Sequence, residues 1–140
     1  MIIDAKNLIV GRMATVVAKK ALLGESIDII NCEKALITGS RKNIFERYKA
    51  RANRGGPFHG PFIPKMPDRF VRRILRGMLP YKQYKGKEAF KRIMCYISVP
   101  DSFKDKKMDR VKEADISRIK TLKYMSVGEV CRFLNGRKYD

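Results

Sequence analysis

A strongly basic segment in the middle of the chain constrains most what this sequence can fold into. Residues 41–92 hold 16 of the 32 lysines and arginines but only three of the 14 acids, so their net charge is +13. Residues 1–40 carry a net charge of +1, and residues 93–140 one of +4. A mobile basic tail would place its charge at a terminus, whereas this charge lies among Phe, Tyr, Ile and Leu that need burial. The segment therefore predicts a folded surface that binds a polyanion.

The size and the apolar content of the chain allow it to bury a sizeable core. With 140 residues we expect one domain, 1–140, and the hydrophobic fraction of 44% is that of an ordinary globular protein. The formal net charge of +18 opposes compaction. We therefore expect moderate stability of the isolated protein, and a gain in stability when a partner neutralises the charge.

Two further features of the sequence bear on location and cofactors. No apolar run approaches the roughly 20 residues of a membrane span, and residues 1–4 lack the basic start and apolar middle of a signal peptide. The cytosol is therefore the expected location, and no membrane is expected as a partner.

Cys32, Cys95 and Cys131 lie far apart and are predicted to be buried, reduced thiols. With one histidine and no Cys-x-x-Cys pair, neither a zinc site nor another cofactor is expected.

The apolar pattern predicts strands that alternate with helices, which is typical of an α/β fold: a single layered domain with a small, mostly parallel sheet flanked by helices. The segment 101–123, charged in both signs, is predicted to be a surface excursion with some helix. The extended piece at 35–38 has no assigned partner. The first half is predicted as a strand at 2–5, a helix at 11–23, a strand at 27–30, the piece at 35–38, a helix after Ser40 up to Ala52 and an irregular loop at 55–67. The second half is predicted as a helix at 68–78, a short helix at 87–92, a strand at 93–99 and a last helix from the capping box at 126–129 to Leu134.

The predicted helix at 68–78 separates apolar from basic residues. At 100° per residue, Arg69, Arg72, Arg73 and Arg76 fall within roughly a 100° arc. A merely solvated face usually mixes both signs of charge, but no acid relieves the repulsion here. Because a guanidinium binds phosphate with two parallel hydrogen bonds, the arginine face is predicted to contact phosphates. The opposite side holds the apolar residues Phe70, Val71, Ile74, Leu75 and Met78.

The loop at 54–62 combines glycines, prolines, the only histidine and two phenylalanines, Phe58 and Phe62. Unpaired RNA bases stack on aromatic rings, and glycine lets a backbone approach a ribose-phosphate chain. Alternatively, the two phenylalanines plug into the core and the loop merely covers the surface. The sequence leaves both interpretations open.

Catalysis has little support in the sequence. Val10, Gly11 and Arg12 follow a strand and open a helix, where phosphates can bind, but they form neither a Gly-x-Gly-x-x-Gly nor a Walker motif. His59 has no nucleophile beside it in sequence, and acids are scarce and scattered, so no catalytic residue and no small-molecule substrate are predicted. Two alternatives stay open: a free-standing RNA-binding translational regulator and a nucleotide-binding α/β enzyme.

Several fragments, in this order, resemble one family, the thirteenth protein of the large ribosomal subunit. The Arg-Gly-Met-Leu-Pro run at 76–80 carries most of the resemblance, and the Gly-Pro-Phe-His form at 56–59 and the compact length are most similar to the archaeal and eukaryotic branch. The excursion after Pro100 departs most from the bacterial pattern. The other matching fragments are Ile3-Asp4-Ala5, Leu8, Gly11-Arg12-Met13-Ala14, Val17-Ala18, Asn31-Cys32-Glu33, Ile37-Thr38-Gly39, Lys85-Gly86, Ala89 and Val99-Pro100.

The resemblance implies a non-catalytic component of the large ribosomal subunit that binds rRNA, supports subunit assembly and touches neighbouring large-subunit proteins. By position it marks residues 76–80, Lys85, Gly86 and His59 as residues that contact rRNA or shape the contact. The charge pattern indicates the same segment, 41–92. Together they give these candidate RNA-binding residues: Arg12, Arg41, Lys42, Arg47, Lys49, Arg51, Arg54, His59, Arg69, Arg72, Arg73, Arg76, Gly77, Lys82, Lys85, Gly86, Lys87, Lys91 and Arg92.

Overall fold

The computed structural model of the chain describes residues 1–136, which form five α-helices, several short 3-10 helices and two small sheets. Residues 137–140 of the expected domain lie outside the described residues. The strands are β1 (Ile2–Asp4), β2 (Ile27–Ile30), β3 (Leu36–Thr38), β4 (Ile93–Cys95) and β5 (Tyr124–Ser126). The helices are α1 (Val10–Leu22), α2 (Arg41–Ala52), α3 (Pro67–Met78), α4 (Tyr84–Lys91) and α5 (Val127–Asn135).

The first sheet is parallel and has the strand order β1-β2-β4. Ile29 pairs with Ile3 on one side and with Cys95 on the other. Helix α1 connects β1 to β2, as parallel neighbours require, because a hairpin cannot join them. The β-branched strand residues Ile3, Ile29 and Ile93 are fully buried. The α/β class with a small parallel sheet and flanking helices is thereby confirmed.

The piece at 35–38, which the sequence left without a partner, is strand β3. It pairs antiparallel with β5 in a separate two-stranded sheet, with Ile37 opposite Met125. Ile37 and Met125 are both buried, so the second sheet adds to the same core as the first. The partner strand lies near the other end of the chain, which is why local spacing could not identify it.

Two predicted boundaries differ from the structure. The strand predicted at 93–99 ends at Cys95, because Ser98 adopts a left-handed backbone conformation (φ 57°) and the chain turns back towards β2. There the amide of Asn31 donates to the carbonyl of Ser98 over 3.1 Å. The short helix predicted at 87–92 begins three residues earlier, at Tyr84, and includes Gly86. Glycine is a poor helix former, so its position inside the first turn hid the true start.

The segment 101–123 is more than a surface excursion. It forms three short 3-10 helices, at Asp101–Phe103, Lys112–Ala114 and Ile116–Arg118, and it runs along β1. The amide of Asp109 donates to the carbonyl of Ile2 over 2.7 Å, and the amide of Asp4 donates to the carbonyl of Asp109 over 3.1 Å. The segment therefore covers the β1 edge of the parallel sheet, which would otherwise offer unpaired backbone groups.

The capping box predicted before the last helix is present. The backbone amide of Glu129 donates to Oγ of Ser126 over 3.2 Å, and the amide of Ser126 donates to the Glu129 carboxylate over 3.0 Å. Gly136 ends the helix in a left-handed conformation (φ 60°), as the Asn-Gly pair indicates. Helix α5 buries Val127, Val130 and Cys131 against the core.

Two glycines near the Arg-Gly-Met-Leu-Pro run have opposite surroundings, which gives a matched test of the fold. A Cβ at Gly86 would overlap with the backbone carbonyl of Pro80, whereas a Cβ at Gly77 would meet no atom within 4 Å. Gly86→Ala should therefore lower the free energy of unfolding by roughly 1–3 kcal/mol. Gly77→Ala should raise it by about 0.5–1 kcal/mol, because alanine favours a helix. Urea unfolding followed by circular dichroism measures both; equal effects of the two substitutions would contradict this packing.

The three cysteines are free and buried, as predicted. Burial raises the pKa of the Cys131 thiol to about 12, and a hydrogen bond with Cys95 together with burial raises the pKa of Cys32. Cys32 and Cys131 should thus stay protonated and unreactive in the folded protein, since the thiolate is the nucleophile, and burial shields all three thiols from reagents. Ellman's reagent at pH 8 should label none of the three thiols in the native protein and all three in urea. Rapid labelling of a native thiol would contradict its burial.

Candidate nucleic-acid interface

Helix α2 presents cations around a buried tyrosine. Ser40 caps the helix by accepting a hydrogen bond from the amide of Asn43 over 3.4 Å. Tyr48 is 8% exposed, and the guanidinium carbons of Arg47 and Arg51 lie 5.0 and 5.6 Å from the centroid of its ring. Cation–π contacts of this kind restrain both arginines at the surface while leaving their N–H groups free to bind. The other predicted cations of the helix, Arg41, Lys42 and Lys49, are also exposed.

Helix α3 has the two faces that its sequence predicts. Phe70, Val71 and Leu75 are buried, whereas the side chains of three of the four predicted arginines are exposed: Arg69, Arg73 and Arg76. Among residues 1–136, no acidic side chain forms an ion pair with these arginines.

Two residues of α3 depart from the predicted division. The guanidinium of Arg72 is half-buried and lies 4.6 Å from the centroid of the Phe90 ring, so part of its role is to cover that ring. Met78, predicted on the packed side, is 42% exposed. It is the last residue of the helix, where the chain turns into Leu79, and Leu79 takes the buried position instead.

The proline-rich loop between α2 and α3 holds its aromatic side chains in solvent. Phe58 is 89% exposed and Phe62 is 71% exposed, so the alternative that both phenylalanines plug into the core is wrong. His59 and Arg54 are exposed as well. Nη1 of Arg73 donates a hydrogen bond to the carbonyl oxygen of Phe62 over 3.1 Å, which ties the loop to α3. The loop therefore offers aromatic rings for stacking from a restrained position.

Three concave pockets that share lining residues lie side by side, and together we call them the basic groove. The first, of about 440 Å³, lies between α2, α3 and the proline-rich loop. The second, of about 320 Å³, shares Tyr48, Arg51 and Ile74 with it. The third, of about 330 Å³, shares Ile9 and Thr38 with the second. Seven cations line the groove: Arg12, Arg47, Arg51, Arg54, Arg73, Arg118 and Lys120.

The charge of the basic groove is uncompensated. Among the described residues, no carboxylate lines any of its three cavities. A concave, low-dielectric surface that carries one sign of charge concentrates its field and attracts a polyanion. The groove also holds apolar side chains between the cations, among them Tyr48, Ile74 and Ile63. This combination suits a ribose-phosphate chain better than a small inorganic anion.

Some predicted residues lie away from the groove or serve the fold. Arg92 donates a hydrogen bond to the carbonyl of Ala21 at the end of α1, about 14 Å along the helix from Arg12. Lys91 pairs with Glu88 over 2.8 Å, and Lys42 with Glu46 over 4.0 Å. The exposed lysines 82, 85 and 87 lie on and before α4. Gly86 is buried, and its role is to let the chain pass close to the Pro80 carbonyl.

Arg118 and Lys120 line the groove although they were not among the residues predicted from the sequence. They lie in the segment 101–123, far in sequence from the basic segment, yet line the third cavity with Arg12. The available signal was a run of cations without acids at 118–123, which holds Arg118, Lys120 and Lys123. The pairing of β5 with β3 brings this run next to the start of α1.

Other kinds of site find no support in the part of the chain that the structure describes. Within residues 1–136, no group of three or more His, Cys, Asp or Glu side chains is placed to hold a metal ion. No helix in the same range is long and apolar enough to cross a membrane.

Comparison with known proteins identifies the family. The family model described as ribosomal protein L13 matches residues 1–102. The chain belongs to the ribosomal protein L13 family. This confirms the resemblance drawn from the motifs between residues 2 and 100. The family consists of ribosomal proteins and not of enzymes, so the expectation of a non-catalytic protein is confirmed too.

Relatives named large ribosomal subunit protein uL13 match almost the whole chain. The relative from Methanopyrus kandleri is 47% identical over 131 residues, which are 92% of this chain and 82% of that protein. The relative from Methanococcoides burtonii is 41% identical over 97% of this chain and 98% of its own length. The relative from Archaeoglobus fulgidus is 39% identical, with 97% of this chain and 88% of its own length covered. These archaeal L13 proteins agree with the branch that the Gly-Pro-Phe-His motif indicates.

Proposed function

We propose that this L13 family member is a structural component of the cytoplasmic large ribosomal subunit, where it binds large-subunit rRNA through the basic groove and supports subunit assembly. The observation that carries the proposal is the groove itself: seven cations from α1, α2, α3, the proline-rich loop and the segment 101–123 line its three pockets without a carboxylate. Neutralising RNA phosphates there would relieve the self-repulsion of a chain with a net charge of +18.

The predicted mode of recognition is shape and backbone rather than base sequence. Arginine predominates over lysine in the groove, and its planar fork binds phosphate with two hydrogen bonds. Contacts with phosphates position an RNA without reading its bases. The exposed rings of Phe58 and Phe62 add surfaces on which unpaired bases can stack. The groove would therefore fit where RNA strands approach one another and leave bases unpaired.

The remaining predicted contacts extend this surface. The exposed arginines 69 and 76 continue the basic face of α3 beyond the groove, and Arg76 lies 4.4 Å from the centroid of the Tyr81 ring. The exposed lysines 82, 85 and 87 follow in sequence. Neighbouring large-subunit proteins are the second class of partner, and exposed apolar side chains away from the groove, such as Leu23 at 75% exposure, suit such contacts.

We also propose that residues 1–140 form one domain. One hydrophobic cluster contains side chains from all five helices and from both sheets, for example Val17, Leu75, Met125 and Val130. A single cooperative unfolding transition, with coincident circular dichroism and fluorescence curves, is expected from such a shared core.

Binding to an in vitro transcript of the large-subunit rRNA should depend steeply on salt. The logarithm of affinity should fall with the logarithm of salt concentration by roughly 0.7 to 0.9 per neutralised phosphate, because each phosphate contact releases a counterion. Several groove arginines acting together thus predict a slope of at least about four. Filter binding between 50 and 300 mM KCl measures it. An affinity that hardly changes with salt would point to a small apolar site and contradict the proposal.

A further inference from the structure

The first cavity of the basic groove is larger and more apolar than phosphate binding alone requires. Its volume of about 440 Å³ lies within the range of pockets that hold small organic ligands. Its walls are the apolar side chains of Pro61, Ile63, Ile74 and the rings of Tyr48 and Phe70, whose centroids are 5.0 Å apart. A phosphate gains nothing from such walls, whereas the flat apolar face of a nucleobase does.

Cations surround this apolar cavity. Arg51, Arg54 and Arg73 come from three different elements and line it together. One N–H of Arg73 is used on the Phe62 carbonyl, and a guanidinium has five N–H donors, so the others can bind outward. The arrangement has an apolar interior for a base and charged groups for the phosphates on either side of it.

Gly77 supplies an independent observation that points to the same ligand. It lines the cavity from the last turn of α3, where glycine costs helix stability relative to alanine. The fold does not need a glycine there, because a Cβ would meet no atom within 4 Å. Gly86 is the contrast, since its Cβ would strike the Pro80 carbonyl. Because Gly77 has no side chain, the wall of the cavity keeps open space at this position.

From these observations we infer that the first cavity receives one unstacked nucleotide of the rRNA, with its base against Ile74 and Tyr48, its ribose beside Gly77 and its flanking phosphates on Arg51, Arg54 and Arg73. The inference rests on the proposed function and specifies it: part of the recognition is a base turned out of its stack. Unstacked bases are the parts of RNA that proteins bind most selectively.

Gly77→Leu tests this inference without altering charge or packing. The leucine fills open space at the cavity wall and favours a helix more than glycine does, so the variant should fold and melt no lower than the parent. Its affinity for an in vitro transcript of the large-subunit rRNA should fall about tenfold, as expected for the loss of one stacked base, while the salt slope stays unchanged. Ala50→Leu is the matched control, because Ala50 is exposed on α2 and does not line the cavity. This control should bind like the parent.

The outcomes separate the inference from the function on which it rests. If the parent binds rRNA with a steep salt slope and folded Gly77→Leu binds equally well, the cavity is not used and only the inference fails. If the parent does not bind rRNA, the proposed function fails with it. Ultraviolet cross-linking and mass spectrometry give a second measurement: nucleotides should cross-link to the peptides that hold Tyr48 or Ile74 in the parent, and much less in Gly77→Leu. Absence of these cross-links in the bound parent would overturn the inference.

The alternative ligand for this cavity is a free mononucleotide instead of a nucleotide of the rRNA. Calorimetric titration of the parent with AMP and UMP should show no micromolar binding, because a single nucleotide lacks the other phosphate contacts of the groove. Micromolar binding of either nucleotide, together with an unchanged rRNA affinity of Gly77→Leu, would mark a small-molecule site and overturn the inference.

Discussion

The triple variant Arg51→Gln, Arg54→Gln, Arg73→Gln should lose at least about a thousandfold in affinity for large-subunit rRNA at moderate salt, because three charge-assisted contacts contribute roughly 1.5 kcal/mol or more each. The salt slope should fall by about two to three, as the corresponding phosphate contacts disappear. Glutamine is a good helix former, and the hydrogen bond lost between position 73 and the Phe62 carbonyl is exposed, so the fold should survive. Filter binding at several salt concentrations, with melting curves, measures both effects.

A variant with the same loss of charge elsewhere serves as the control. Lys19 and Lys112 line a separate cavity of about 490 Å³ in which Glu25 and Glu113 mix the signs of charge, and Lys107 is exposed. Changing these three lysines to glutamine should weaken binding only a few-fold through the lower net charge, with little change in the salt slope. Equal losses in the two triple variants would show that overall charge, and not the groove, determines binding.

Leu75→Ala should produce the opposite pattern. Leu75 is fully buried in the core on the packed face of α3. Removing its side chain should cost roughly 2–5 kcal/mol of unfolding free energy, a large part of the margin of an ordinary domain. The fraction that remains folded should bind rRNA with an unchanged salt slope, since no groove residue is altered.

Met78→Ala is the control for this prediction. Met78 lies on the same helix but is 42% exposed, so its truncation should cost no more than about 0.5–1 kcal/mol. Urea unfolding of both variants gives the comparison. A small effect of Leu75→Ala would mean that α3 does not pack against the core through this face.

Structural features that depend on neighbouring residues could be predicted from the sequence, whereas features that depend on residues far apart in the chain could not. The two faces of α3 follow from a 3.6-residue period within twelve residues, and the capping box before α5 from four. The partner of β3 is set by a pairing with β5 at the other end of the chain, which no local period encodes. The end of β4 depends on the left-handed backbone of Ser98, a residue type that usually avoids that conformation.

The candidate interface shows the same difference between local and long-range sequence signals. The basic segment 41–92 could be located from charge alone, and so could the arginines of α2 and α3 that line the groove. The contributions of Arg118 and Lys120 could not, because they arise from the folding of the segment 101–123 against the start of α1. Composition also could not separate Gly77, which borders open space, from Gly86, which relieves a backbone contact.

Sedimentation of the chain in cell extract tests the central claim most directly. Extract from cells that express a tagged copy of the parent is resolved on a sucrose gradient, and the tag is followed across the fractions together with rRNA. We expect the parent to run with the large ribosomal subunit, and the Arg51, Arg54, Arg73 triple glutamine variant to shift towards the top of the gradient. A parent that stays at the top, away from large-subunit rRNA, would contradict the account.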